Sequence, residues 1–331
     1  MARTRIFSGV KPTGHLTLGN YLGALRRWAE VEQYRADALF CVVDLHALTV
    51  AHDPARVRRL TRQAATLLLA TGVDPERCTV FVQSQVDEHA RLSYLMECTA
   101  SDGEMRRMIQ YKEKKARGGA EVRLSLLTYP ALMAADILAY GTDEVPVGED
   151  QAQHVELTRD LAVRFNQRYG PVFVVPRATR PPVAARVKDL QEPTVKMGKS
   201  HARTAGIVYL LDEAETVRRK VTRAVTDACP EVGYDPVARP GVANLLEILA
   251  ACTGESPEAL AGAYGSYGAL KKDVAEAVVE LLRPVRERHA ELAADPGYVD
   301  GVLRDGAGRA RAMARPRVDA AYRAVGLLPP G

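Results

Sequence analysis

Gly9-Val10-Lys11-Pro12-Thr13-Gly14-His15-Leu16-Thr17-Leu18-Gly19-Asn20 joins a short strand candidate, Arg5 to Ser8, to a helix candidate that runs from Asn20 to Tyr34. Gly9, Pro12, Gly14 and Gly19 punctuate the stretch as a loop. Tyr21, Leu22, Leu25, Trp28 and Ala29 then recur at helical spacing on one face. Ala38 to Val43 is a continuous apolar run, the pattern of a strand buried on both faces. Asp53-Pro54 caps a helix that reaches about Ala70, because Asp accepts orphan N–H groups and Pro suits the first turn. Gly72 ends it, Thr79 to Gln83 is another buried strand, and His89 to Thr99 the next helix.

Strand and helix alternating over short connections predict an α/β fold with a parallel sheet covered on both faces. In such sheets ligands bind at the carboxyl ends of the strands, and the Gly9–Gly19 loop lies at such an end. After about Pro182 the character changes. Apart from a short run at Ile207–Leu210, helical stretches dominate: Asp212–Thr226, Gly241–Cys252, Ser256–Ala261, Gly268–Ala294 and Tyr298–Val325. Pro284 and Pro316 predict kinks or breaks in the last two. Pro181 to Ala205 reads as a hinge or mobile loop.

The chain has 331 residues, enough for about two domains. A net charge of +4 excludes a polybasic protein and does not by itself argue for a nucleic-acid partner. The five cysteines are scattered and form no C-x-x-C pair, so neither a disulfide framework nor a protein-bound zinc or iron–sulfur cluster is expected. Cys41 and Cys78 read as small core residues. No apolar signal-like segment opens the chain, and Leu124 to Tyr140 carries Asp136 and is too short to span a membrane. A soluble cytoplasmic protein is expected.

Five segments carry candidate chemistry. In the opening loop, glycines permit close approach to phosphate, and Thr17 and Asn20, three apart, can both donate to phosphate oxygens at a helix start. A plain glycine-rich turn is the competing reading. Lys196-Met197-Gly198-Lys199-Ser200 suits a triphosphate whose leaving group gains charge, or is a solvated basic loop. Tyr129, Met133 and Asp136 share a helix face, which puts a carboxylate beside a thioether and a phenol. Buried there, Asp136 needs a partner, either a ligand or a neighbouring Arg or segment end. Val145-Pro146-Val147-Gly148-Glu149-Asp150-Gln151 can hold ribose hydroxyls at a helix start, or is an ordinary N-terminal box. In the basic stretch Arg106 to Gly119, Gln110 and Lys114 lie one turn apart. His46 follows a strand end and is either functional or a packed side chain.

Taken together, these segments resemble class I aminoacyl-tRNA synthetases, most closely the bacterial tryptophanyl group, from Ile6-Phe7-Ser8-Gly9 to about Arg323. Thr17-Leu18-Gly19-Asn20 is similar to the family's HIGH signature and Lys196–Ser200 to its KMSKS signature; His15 sits two residues too early to be a signature histidine. The resemblance implies a Rossmann-like catalytic and dimerisation domain over 1–190, a mobile KMSKS-type loop over 191–204, and a helical anticodon-binding domain over 205–331. Its last helix would pack back on the catalytic domain. It implies Phe7, Gly9, His46, Gln110, Tyr129, Met133, Asp136, Val145 and Val147 as the tryptophan pocket. It implies Lys11, Gly19, Asn20, Gly148, Asp150, Gln151, Val187, Lys196, Met197, Lys199 and Ser200 for ATP, with Thr17, Asn20, Lys114, Lys196 and Lys199 acting in catalysis. ATP with Mg²⁺, L-tryptophan, tRNA(Trp) and a second copy of the chain are the implied partners.

Tyrosyl-tRNA synthetases share the Tyr-Pro helix but have Gln where this chain has Met133. Met133 offers an apolar contact to a ring, and ionised Asp136 accepts the indole N–H. A non-catalytic paralogue that binds tRNA or protein is a further alternative, opposed by Asn20, Asp136, Lys196 and Lys199. A small-molecule nucleotidylyltransferase is opposed by the helical second half. Two positions depart from the family: Lys11 replaces the usual Gln, and Gly198 the signature serine. They imply a variant or second copy with an altered response to tryptophan-mimicking inhibitors.

Overall fold

The computed structural model describes residues 3–112, 123–179, 187–198, 204–229 and 231–328, without the side chains of Glu149 and Asp150. Strands β1 (Arg5–Val10), β2 (Asp37–Val42), β3 (Thr79–Val82), β4 (Glu144–Pro146) and β5 (Arg177–Thr179) form one parallel sheet in the order β3-β2-β1-β4-β5. The order runs outward in both directions from β1. The crevice between the carboxyl ends of β1 and β4 is therefore the switch point at which such sheets take ligands.

The central strand β2 and its neighbour β3 form because their side chains are largely apolar and buried on both faces. Phe40 of β2 stacks on Trp28 at 4.7 Å on one side of the sheet. Phe7 of β1 stacks on Tyr140 at 5.7 Å on the other. Residues 18–35, α2 (Pro54–Ala70) and the second half as far as Leu303 cover the first side, while Ala307 to Ala321 of the last helix pack into the core of the other. Helices α3 (Glu88–Thr99), α4 (Asp102–Arg107), α5 (Leu124–Leu138) and α6 (Glu149–Tyr169) contribute to the second. The expected cap of α2 is present: the Asp53 carboxylate accepts from the amides of Ala55 and Arg56 at 3.2 and 3.0 Å. Gly72, with φ of 96°, follows the helix end.

The second half contains α7 (Ala214–Thr222), α8 (Pro240–Thr253), α9 (Pro257–Ala261), α10 (Tyr267–Ala294) and α11 (Pro296–Ala324). Contrary to the break that Pro284 and Pro316 predict, α10 and α11 each run through their proline. Buried Leu282 and Val285, and Ala314 and Val318, anchor the helix on either side and offset the lost hydrogen bond. The helix expected over Asn20–Tyr34 spans residues 18–35 but includes two π turns, Tyr21–Leu25 and Trp28–Glu32. Glu32, fully buried there, accepts from Arg27 Nε at 2.6 Å.

Two contacts tie the halves together. The Ile207–Leu210 run forms no strand of its own but pairs antiparallel with the opening loop: Leu18 N donates to Val208 O at 2.8 Å, and Leu210 N to Leu16 O at 3.0 Å. Helix α11 lies on edge strand β3, so close at Gly306 that a Cβ there would fall 1.8 Å from Val80 O. Cys41 and Cys78 are buried, as expected. Among the described residues no helix is long and apolar enough to cross a membrane, and no group of three or more His, Cys, Asp or Glu side chains is placed to hold a metal ion.

Candidate active site

At the end of β1 the opening loop turns into the helix at Thr17, whose extended backbone (φ −106°, ψ 163°) begins a reciprocal cap. Asn20 N donates to Thr17 Oγ1 at 3.3 Å, and Thr17 N to Asn20 Oδ1 at 3.1 Å. The Thr17 hydroxyl also donates to Asn20 Oδ1 at 3.2 Å and is buried. The pair expected to present two phosphate donors is thus bonded to itself: Thr17 sets the helix start, and half-buried Asn20 is the more accessible partner. With Leu18 N bonded to Val208 O, the Gly19 amide is the first-turn N–H without an acceptor among the described residues.

The second signature comes to the same place. Val187 and Met197 are buried, and Met197 N donates to Val187 O at 3.0 Å. Lys188 and Lys196 form an antiparallel bridge, so 187–197 is a narrow hairpin. A Cβ on Gly19 would meet Met197 O at 3.3 Å. Lys196 is exposed and Gly198 half-buried. Asn244 of α8 clamps the hairpin: its Oδ1 accepts from Lys188 N at 2.9 Å and its Nδ2 donates to Lys188 O at 3.0 Å. Lys114, Lys199 and Ser200 lie outside the described residues, as does the Asp150 side chain.

The tryptophan-pocket candidates gather on the other side of the β1 end. Tyr129, Met133 and Asp136 share the inner face of α5, with Tyr129 and Asp136 buried and Met133 half-buried. The Asp136 carboxylate is the centre of a polar cluster. His46, from the turn Leu45–Thr49, approaches Oδ2 through Nε2 at 2.8 Å. His89 approaches Oδ1 through Nδ1 at 2.6 Å. Gln83 Nε2 donates to Oδ1 and Oδ2 at 2.7 and 2.9 Å, while its Oε1 accepts from Leu45 N at 3.0 Å. Burial alone would push the Asp136 carboxyl up. The charge of His89 and the hydrogen bonds from His46 and His89 outweigh it and hold the group at about 2, ionised at neutral pH.

Tyr129 Oη donates to Gln110 Oε1 at 3.2 Å and lies 2.6 Å from His154 Nε2; burial pushes its phenol up. The His46 ring stands edge-on to Tyr129 at 6.1 Å. Phe7 and Val145 are buried within β1 and β4, and Val147 follows β4, its amide bonded to Thr179 O at 3.1 Å. A Cβ on Gly9 would lie 2.8 Å from Val43 Cγ1, so the bare backbone there is a packing requirement. Gly148 begins α6, with Gln151 N bonded to its carbonyl at 3.1 Å. Lys11 Nζ donates to Thr49 Oγ1 at 3.1 Å, and Thr49 Oγ1 to His46 O at 2.8 Å, so the lysine is tied to the turn that carries His46.

Gln83, His89 and Tyr140 were not anticipated from the sequence. Gln83 closes the β3 run just as Asp44 closes β2, and that placement at a carboxyl strand end was its one available signal.

Comparisons with known proteins agree with this geometry. Residues 1–283 match the family described as tRNA synthetases class I (W and Y). A Streptomyces avermitilis protein named tryptophan–tRNA ligase 1 is 80% identical over 327 residues, covering 98% of this chain and 99% of the relative. The structure of tryptophanyl-tRNA synthetase from Mycoplasma pneumoniae superposes with a TM-score of 0.92 at 35% identity, covering 98% of each chain. That of the Campylobacter jejuni enzyme, complexed with ADP and tryptophan, gives 0.84 at 30% identity, covering 98% of this chain and 100% of the other. The chain with the Gly19–Met197 contact and the buried Asp136 cluster belongs to the class I tRNA synthetases of the W and Y group.

Proposed function

We propose that this chain is a tryptophan–tRNA ligase: it activates L-tryptophan with ATP and transfers it to the terminal adenosine of tRNA(Trp). The observation that carries the choice of tryptophan is the Asp136 cluster. An ionised carboxylate offers about four acceptor positions. His46, His89 and Gln83 bring three donor nitrogens to it, with Gln83 Nε2 shared between both oxygens, and an ionised, acceptor-only carboxylate on the pocket face of the helix suits the indole N–H as a further donor. Met133, on the same helix face, supplies the soft contact to the ring. The tyrosyl reading lacks this support, since a phenol needs a partner that can accept and donate, and Met133 can do neither well.

In the first step the tryptophan carboxylate attacks the α-phosphate, and the bond to pyrophosphate breaks. In the second, the ribose 2′-hydroxyl of the tRNA attacks the acyl carbon, and AMP leaves. Catalysis is positioning and charge stabilisation. Gly19, Asn20, Gly148, Asp150, Gln151, Val187 and Met197 cradle the nucleotide, and Thr17 fixes the helix start. Lys114, Lys196, Lys199 and Ser200 are the residues assigned to stabilise the charge that grows on pyrophosphate, and Mg²⁺ arrives with ATP. Lys11 adds a cation near the reacting carboxylate.

We assign the protein to the cytoplasm, as a homodimer. Tyr94, Ile109, Leu124 and Val163 are large, apolar and exposed, on or beside α3, α5 and α6, which pack on one another. They support a second copy as the cover. Tryptophan-dependent ATP–pyrophosphate exchange, followed by charging of tRNA(Trp), tests the activity. Exchange driven by tyrosine instead, or none with either amino acid, would overturn it in favour of the tyrosyl enzyme or the non-catalytic paralogue.

A further inference from the structure

We propose that His89, held by Tyr140, is a positioning residue that makes the amino-acid pocket demand a ring N–H, by fixing Asp136 as a pure acceptor. The inference rests on the reading that Asp136 takes the indole N–H. His89 is fully buried at the start of α3, and both its ring nitrogens are used. Nδ1 lies 2.6 Å from Asp136 Oδ1, and Nε2 lies 2.7 Å from Tyr140 Oη. Tyr140 is itself stacked on Phe7 of β1 and edge-on to Phe81 of β3, so the relay ends in the sheet.

The donor directions follow from the chemistry of the groups. Ionised Asp136 only accepts, so Nδ1 carries a proton and donates it. Burial, with Cys41, Asp136 and Glu88 nearby, pushes the Tyr140 phenol well up, and it keeps its proton. When the ring is neutral, the phenol donates to Nε2, and this obliges the ring proton to sit on Nδ1. The other tautomer would set a lone pair against the carboxylate. Asp136 thus calls for the Nδ1–H tautomer, Tyr140 holds it by donating to the bare Nε2, and the held tautomer supports the charge on Asp136.

The consequence is selectivity. With His89 in place, a ring without an N–H meets a buried carboxylate that can only accept and that it cannot donate to, which is costly. Without the Nδ1 donor, burial favours a protonated Asp136. A carboxylic acid can turn its O–H toward a ring that has only an acceptor atom, and the penalty against that ring shrinks.

The experiment compares tryptophan with its benzothiophene isostere, in which sulfur replaces the indole N–H, by pyrophosphate exchange on the full chain. His89→Asn places an amide nitrogen near the Nδ1 position, and His89→Gln places one near Nε2. The expected result is a preference for tryptophan that is largely kept in His89→Asn and reduced at least about 10-fold in His89→Gln, mainly through KM for tryptophan. Tyr140→Phe, which leaves the fold's ring contacts intact, is expected to reduce the preference as well. Equal preferences in the two His89 variants, or an unchanged preference in Tyr140→Phe, would overturn the proposal and leave His89 a core residue. Asp136→Asn separates the two readings: if it leaves the preference unchanged, the role of Asp136 itself fails, whereas its loss there with retention in His89→Gln refutes only the relay.

Discussion

Gly19 and Met197 touch through the space that a side chain would fill: a Cβ on Gly19 would lie 3.3 Å from the Met197 carbonyl oxygen and 3.5 Å from its Cβ. The helix start and the lysine-bearing hairpin are therefore in register only while residue 19 is bare. Gly19→Ala pushes the hairpin outward by a few tenths of an ångström while improving local helix propensity. The expected outcome is a KM for ATP raised several-fold with no loss of heat stability. Unchanged exchange kinetics would show that the contact does not set loop position.

Lys199→Ala removes a cation expected to stabilise the leaving pyrophosphate. Removing one such group typically costs about 10²–10³ in rate. Tryptophan binding, followed by calorimetry, should stay near normal while pyrophosphate exchange slows. A normal exchange rate rules out this role for Lys199.

Lys11→Gln breaks the hydrogen bond of 3.1 Å to Thr49 and removes a charge beside the turn that holds His46. The inhibition constant of an indole-based tryptophan analogue should shift between parent and variant. Equal constants would mean that Lys11 does not govern the response to such compounds.

Gly306→Ala forces helix α11 away from β3, because the new Cβ would sit 1.8 Å from Val80 O. Backbone cannot yield as a flexible side chain would. Overpacking of this kind costs about 1–3 kcal/mol. The midpoint of urea unfolding should fall, and a midpoint equal to the parent's would contradict the packing described.

Glu104 gives a pH signature far from the active-site cluster. The Arg164 guanidinium bonds it at 2.6 and 3.0 Å and, against the upward push of burial and with help from Ser101, holds its carboxyl at about 2 rather than the ordinary 4.5. The folded-state value is the lower one, so the contribution is present above about 4.5 and fades as pH falls through about 2. Arg164 is 43% exposed, and screening reduces the contribution to about 1 kcal/mol. Glu104→Gln should lower the melting temperature at neutral pH and lose less of it on acidification than the parent. Parallel acid limbs would argue against the pair.

Local signals made much of this fold legible. Ala38 to Val43 carries β2 because an unbroken apolar run must be buried on both faces, and Asp53-Pro54 carries the start of α2 because both residues act on the turn they occupy. The Thr17–Asn20 spacing was legible as a helix start, but not that the two would bond each other. Gln83 and His89 were hidden for a different reason: they reach Asp136 only because β2, β3 and α5 are brought together by the sheet order, which no local pattern encodes. The π turns at Tyr21–Leu25 and Trp28–Glu32 likewise have no signal in the helical spacing of the apolar residues. The prolines misled because their local cost is outweighed by packing on both sides of Pro284 and Pro316.

The hydrogen bond from Leu18 N to Val208 O also has a meaning in time. As the chain is synthesised, the helix over residues 18–35 emerges early, yet the acceptor that completes its start emerges only after the last sheet strand, β5. Closing so long a loop is slow compared with local structure formation. The nascent protein would therefore hold its first strands and helices well before it gains a finished nucleotide cradle. An unfinished chain on the ribosome would be a poor consumer of ATP, and activation of the amino acid would begin only once the chain beyond β5 had been made.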